Sequence, residues 1–132
     1  MNAFSQSNLG TDIMCEEDLD PHLQLSGGVR NVGWALAWRI LTDRGSLFYE
    51  TNYGLGLVRF CHDEVTRHTL SIVKSGIQFE SRKDDRILST KASVRWNTET
   101  RHLETTVVCE SAVSPFRLVV DVSKASQAVR IL

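Results

Sequence analysis

A chain of 132 residues fits one domain, large enough to bury about two thirds of the surface its unfolded form would expose and to fold without staples. Hydrophobic residues at 42% and charged residues at 23% exclude a disordered chain, and no apolar run approaches the roughly 20 residues that cross a bilayer, so no membrane insertion is expected. The net charge of −1 hides an asymmetry: residues 1 to 29 hold Asp12, Glu16, Glu17, Asp18 and Asp20 with no Lys or Arg, ahead of a mildly basic body, a balance that argues against a nucleic-acid binder with its strong, clustered positive footprint.

In chain order, residues 1–28 are polar, carry Gly10, Pro21 and Gly27-Gly28, and show no sustained period. They read as an extended acidic arm that gains order from a partner, with the folded domain spanning 29–132. The start, Met1-Asn2-Ala3-Phe4-Ser5, has no basic segment leading into an apolar one, so Sec-type export is not expected. From Val29 to Leu41, the residues Val29, Val32, Gly33, Leu36, Ala37 and Ile40 recur at three- and four-residue spacing, which predicts a first helix. Thr42-Asp43-Arg44-Gly45-Ser46 follows as a turn in which Gly45 supplies positive φ and ends the helix. An aromatic loop runs on through Phe48-Tyr49 to Tyr53-Gly54-Leu55-Gly56-Leu57.

Asp63 is the expected N-cap of a second helix. Val65, Thr69, Ile72, Val73, Gly76, Ile77 and Phe79 give it an apolar stripe, and its end falls near Ser81 to Lys83. From Arg86 the period changes to two: Leu88, Thr90, Ala92, Val94 and Trp96 predict a strand with one covered face. Asn97-Thr98-Glu99-Thr100 suits a hairpin, and Leu103, Thr105, Val107 and Cys109 continue the alternation on the return strand. After Ser114-Pro115, Phe116, Leu118, Val120 and Val122 predict a third strand, and Ala128 to Leu132 a short fourth. Helices first and strands after predict an α+β fold, two main helices on one face of an antiparallel sheet of three to four strands.

Residues able to carry chemistry are scattered. Glu50, with Asp43 as its partner, is the best glycosidase pair the chain offers, yet a glycosidase needs one carboxyl in an apolar pocket that raises its pKa. Glu64 and His68 are four apart on the predicted second helix, and Cys61-His62-Asp63 offers three ligand types in succession. Adjacent side chains point apart, so neither set completes a metal shell. No metal, cofactor or catalytic residue is therefore assigned. Cys15, Cys61 and Cys109 are odd in number and widely spaced, as expected of buried thiols in a reduced compartment. Trp34 and Trp38 share one side of the first helix and serve either the core or a subunit contact. Arg44 is left to pair with a local acid or to reach a neighbour.

The helix running into Thr42-Asp43-Arg44-Gly45-Ser46, then Phe48-Tyr49, then Tyr53-Gly54-Leu55-Gly56-Leu57, resembles the baseplate wedge family of contractile tails. That family contains phage baseplate assembly protein W and the lysozyme-related baseplate proteins of phages and type VI secretion systems. The resemblance covers roughly residues 29 to 123. It departs at Asp84-Asp85-Arg86, where the family commonly has Glu-Pro-Arg: the acid and the arginine remain, and Asp85 stands in place of proline.

The resemblance implies a structural protein of the tail baseplate, assembled in the cytoplasm of a bacterial host and present in six copies. Its implied partners are the larger wedge subunits, the tail sheath protein and the tail tube or hub. It implies that Asp84 and Arg86, with Asp85 beside them, meet a helical bundle of the wedge, and that the sheath adds strands to a sheet this chain presents. Val129 and Ile131 on the last strand mark one edge for that addition, and the acidic arm is the other candidate. Arg44 joins the partner-facing set, while Gly45 and Gly54 shape the turn. The competing functions are a peptidoglycan-degrading enzyme of the lysozyme kind and a soluble adaptor module.

Overall fold

The computed structural model describes residues 10–13, 22, 25–62, 64–111, 113–124 and 126–131. Within the acidic arm, β1 (Thr11–Ile13) and β2 (Leu25–Gly27) pair antiparallel as a two-stranded ribbon. Apart from Gly10, His22 and Gly28, the rest of the arm, Cys15 included, lies outside the described residues. Helix α1 (Gly28–Leu41) follows β2 directly. A loop and a short 3-10 turn (Leu57–Cys61) lead to α2 (Arg67–Ser81).

Helix α2 begins later than the sequence suggested. Its N-cap is Thr66, whose hydroxyl accepts from the Thr69 amide at 3.2 Å while the Thr69 hydroxyl accepts from the Thr66 amide at 3.3 Å. That reciprocal pair satisfies two of the amides a helix start leaves open, with Thr69 in the role more often held by Glu. Asp63, the expected cap, lies outside the described residues. Glu64 therefore precedes the helix, and its four-residue spacing from His68 does not set the two on one helical face.

The second half forms a four-stranded antiparallel sheet in the order β3 (Ile87–Asn97), β4 (His102–Ser111), β5 (Pro115–Val122) and β6 (Gln127–Ile131). This is the expected α+β arrangement, both helices packed on the sheet. The inner face carries Leu103, Val107, Leu118, Val120 and Val122, which meet Val32, Leu36 and Ile40 of α1 and Val73 and Ile77 of α2 in one buried core. Cys61 and Cys109 are buried free thiols. Burial pushes Cys109 up to about 11 against the pull of the Thr90 hydroxyl, so neither chemistry nor cross-linking is needed to account for it.

One residue of the alternation is displaced. Leu88 is 67% exposed, and Ile87 lies inside, because the β3–β4 register shifts between Ile87 and Ser89. A bulge adds one residue, and every side chain before it changes face.

Candidate functional site

The loop after α1 is held by a carboxylate from α2. Val73, Ile77 and Glu80 fall at four- and three-residue steps, so Glu80 occupies a core position of α2, and its side chain is fully buried. Arg44 Nη2 donates to its Oε1 at 2.7 Å, Lys83 Nζ to the same oxygen at 2.7 Å, and Arg39 Nη1 lies 3.8 Å from Oε2. Three cations around one buried carboxylate supply the pairing that such a group requires. The Gly54 peptide closes the arrangement: Arg44 Nε donates to its carbonyl at 3.1 Å, and its amide lies 3.4 Å from Glu80 Oε2. Lys83 also donates to the Asn52 carbonyl at 2.6 Å. The Arg39 guanidinium sits 4.6 Å over the Tyr53 ring, whose hydroxyl pKa burial raises against the opposing pull of Arg39.

Arg44 thus takes the first of its two expected roles and pairs within the chain, although its side chain stays 49% exposed. The glycines divide differently from expectation. Gly45 has φ +85° as predicted, but it does not end the helix: α1 stops at Leu41 with Thr42 extended as its C-cap. Gly54, at φ +103°, is the constrained position, because a Cβ there would run into the Thr42 carbonyl oxygen. Beyond this framework the loop presents Phe48, 92% exposed, with Tyr49 packed edge-on at 5.1 Å. Glu50 is exposed on the same loop, and Asp43, also exposed, faces Arg59 at 3.9 Å. Neither carboxyl lies in the apolar pocket that a glycosidase acid requires.

The turn after α2 brings Asp84 and Arg86 onto each other. Arg86 Nε donates to Asp84 Oδ1 at 2.9 Å and Nη2 to Oδ2 at 2.7 Å, a fork across two residues, and the Arg86 amide adds a third bond at 3.0 Å. Burial alone would raise the Asp84 pKa, but the hydrogen bonds and charge of Arg86 outweigh it and hold the carboxyl below its ordinary value. Arg86 Nη1 faces Gly10, at the entry to β1. Asp85 is exposed beside the pair.

Val129 and Ile131 lie on β6, the last strand of the sheet. Both are half-buried toward the core, and the space left by Gly33 of α1 is filled by Ile131, whose Cδ1 lies 2.8 Å from where a Gly33 Cβ would be. Their side chains are occupied, so what β6 offers a partner is its backbone. The hairpin into β6 closes with Ser123 donating to the Ser126 carbonyl at 2.8 Å, and the register runs on without a break. Bonded pairs alternate along an antiparallel ladder, which turns Ala128 and Arg130 toward β5. The peptide groups of Gln127, Val129 and Ile131 then face outward, along an edge that pairs with no other strand among the described residues.

Among the described residues no group of three His, Cys, Asp or Glu side chains is placed to hold a metal ion. Neither a scan of protein-family models nor a search of curated proteins returns a match to this chain. The residue that sequence reasoning missed is Glu80. Its signal was present: a carboxylate at an i+3 step from Ile77, inside the apolar stripe.

Proposed function

We propose that this protein is a structural component of a contractile-tail baseplate, held by wedge subunits near the Asp84–Arg86 turn and starting the sheath by strand addition at β6. Its action is by shape and not by turnover. The observation that carries this reading is the β6 edge, with outward peptide groups at Gln127, Val129 and Ile131 on a sheet backed by two helices. An edge of this kind is a template for an added strand, which soluble proteins normally guard. The resemblance over residues 42–57 and 84–86 supports the same reading. The loop motif has a structural account in the Glu80 cluster, and the partner-facing role then falls to the exposed Asp85 and the Asp84–Arg86 fork.

The test is immunogold labelling of contractile particles from cells that express the gene, with electron microscopy of a deletion strain. The expected outcome is label confined to the baseplate end of the tail, and sheath-bearing tails lost on deletion. Unlabelled tails, or normal numbers of sheathed tails after deletion, reject the reading. Clearing of a peptidoglycan suspension by the purified protein, abolished in Glu50→Gln, would instead establish the enzyme.

A further inference from the structure

Between α1 and β6 lies an open cleft of about 420 Å³, walled by Trp34, Ala37, Trp38 and Leu41 from the helix and by residues 126–129 from the strand. At the Ser126 end it meets a second depression, lined by Val58, Ser123 and Lys124 among others. Helix and strand touch where Ile131 fills the space at Gly33, and the cleft opens further along, beside the two tryptophans. Trp34 and Trp38, four residues apart, present their rings on the same side of α1. The Trp34 Nε1 is buried and has no acceptor among the described residues.

The cleft borders the outward edge of β6, so a strand added there would run past its mouth. Side chains on such a strand alternate. Those on the side of Val129 and Ile131 face α1 and the tryptophans, and those on the other side stand with Arg130. Basic residues outnumber acids on that second side of β5 and β6. Arg130 and, on β5, Arg117 are exposed there and in no ion pair among the described residues, and no acid occurs from 123 to 131. Asp121, opposite Ala128 on β5, is already held by His102 at 2.7 Å.

We propose that this cleft selects the strand that adds to β6. The segment it takes is extended and alternates apolar with acidic residues. It sets an apolar side chain between Trp34 and Trp38 and its carboxylates toward Arg130. The inference rests on the strand-addition reading and deepens it, naming the chemistry of the incoming chain.

The probe is a fluorescent, end-capped heptapeptide alternating Leu with Asp, titrated into the full-length protein, with its Leu and Lys counterpart as control. The acidic peptide should bind saturably and the lysine peptide at least about tenfold more weakly; Arg130→Glu should reverse that order. Trp38→Ala should weaken the acidic peptide by about tenfold while its far-ultraviolet circular dichroism stays that of the wild type. Gln127→Pro, which removes an outward amide, should weaken both peptides.

Equal binding of the two peptides, or undiminished binding to Trp38→Ala with loss only in Gln127→Pro, overturns the cleft and leaves strand addition standing. Binding that survives Gln127→Pro overturns strand addition itself. Absence of saturable binding at millimolar peptide overturns the proposal. So does self-association of the protein that the acidic peptide displaces, which would give the edge to a second copy of this chain.

Discussion

Gly45 and Gly54 both hold positive φ, yet they differ in what a side chain would meet. Nothing lies within 4 Å of a Cβ at Gly45, whereas one at Gly54 collides with the backbone of Thr42. Gly45→Ala should therefore cost only the conformational strain, about 1 kcal/mol. Gly54→Ala should cost about 2 to 4 kcal/mol, since the loop must leave α1 to make room. Urea unfolding checks this, and equal losses at the two sites would contradict the placement of the loop. The φ requirement was legible at the Arg44-Gly45 step. The contact with Thr42 was not, because eleven residues of irregular backbone lie between the partners and no period links them.

Asp84 carries a consequence for pH. Its folded pKa lies below the ordinary carboxylate value, with Arg86 overcoming the effect of burial. Folding therefore favours the ionised form. The stabilisation is fully present above the unfolded value of about 4 and is lost as pH falls through the depressed folded value. The stability gap between wild type and Asp84→Asn should be widest near neutrality and narrow below about pH 4. Denaturant midpoints at neutral and acidic pH measure it, and a gap that does not change with pH would show that the fork does not survive in solution.

Among the elements, periodicity located α1, α2 and the first three strands of the main sheet, because each buries one face against a single core and so repeats its apolar residues at its own period. What it misplaced were the ends. Asp63 and Thr66 are both good caps by composition, and the choice falls to Thr66 because Thr69 stands three residues on to return the bond. The bulge that turns Leu88 outward left no sequence signal, since Ile87 and Leu88 are equally apolar. Thr66→Ala should destabilise the protein by about 1 kcal/mol through loss of both hydroxyl contacts. Asp63→Ala should have little effect if Thr66 is the cap in solution. The thermal midpoints of the two variants decide between them.

Across the whole molecule, the sheet has two open edges among the described residues, and they are guarded differently. The outer strand β3 opens with a bulge and carries Lys91 and Arg95, the latter paired with Glu104 of β4, devices that discourage pairing with another chain. The other outer strand, β6, has no bulge and Gln127 and Ala128 at its start are uncharged, so its guards are its five-residue length and the exposed Arg130. The strand addition proposed above falls on β6, and the alternation of its peptide groups gives a test within one strand. Ala128 donates toward β5, so Ala128→Pro removes a ladder bond of the monomer and should lower its stability by about 1 kcal/mol more than Gln127→Pro. Gln127 faces outward with an exposed side chain, so Gln127→Pro should leave the thermal midpoint near that of the wild type. In assembling particles the order should invert in meaning: Gln127→Pro should yield baseplates without sheath from a monomer that is still sound. Electron micrographs counting sheathed tails against bare baseplates give the readout. Sheathed tails at wild-type frequency in Gln127→Pro would remove β6 as the initiating edge, and the acidic segment ahead of Val29 would take its place.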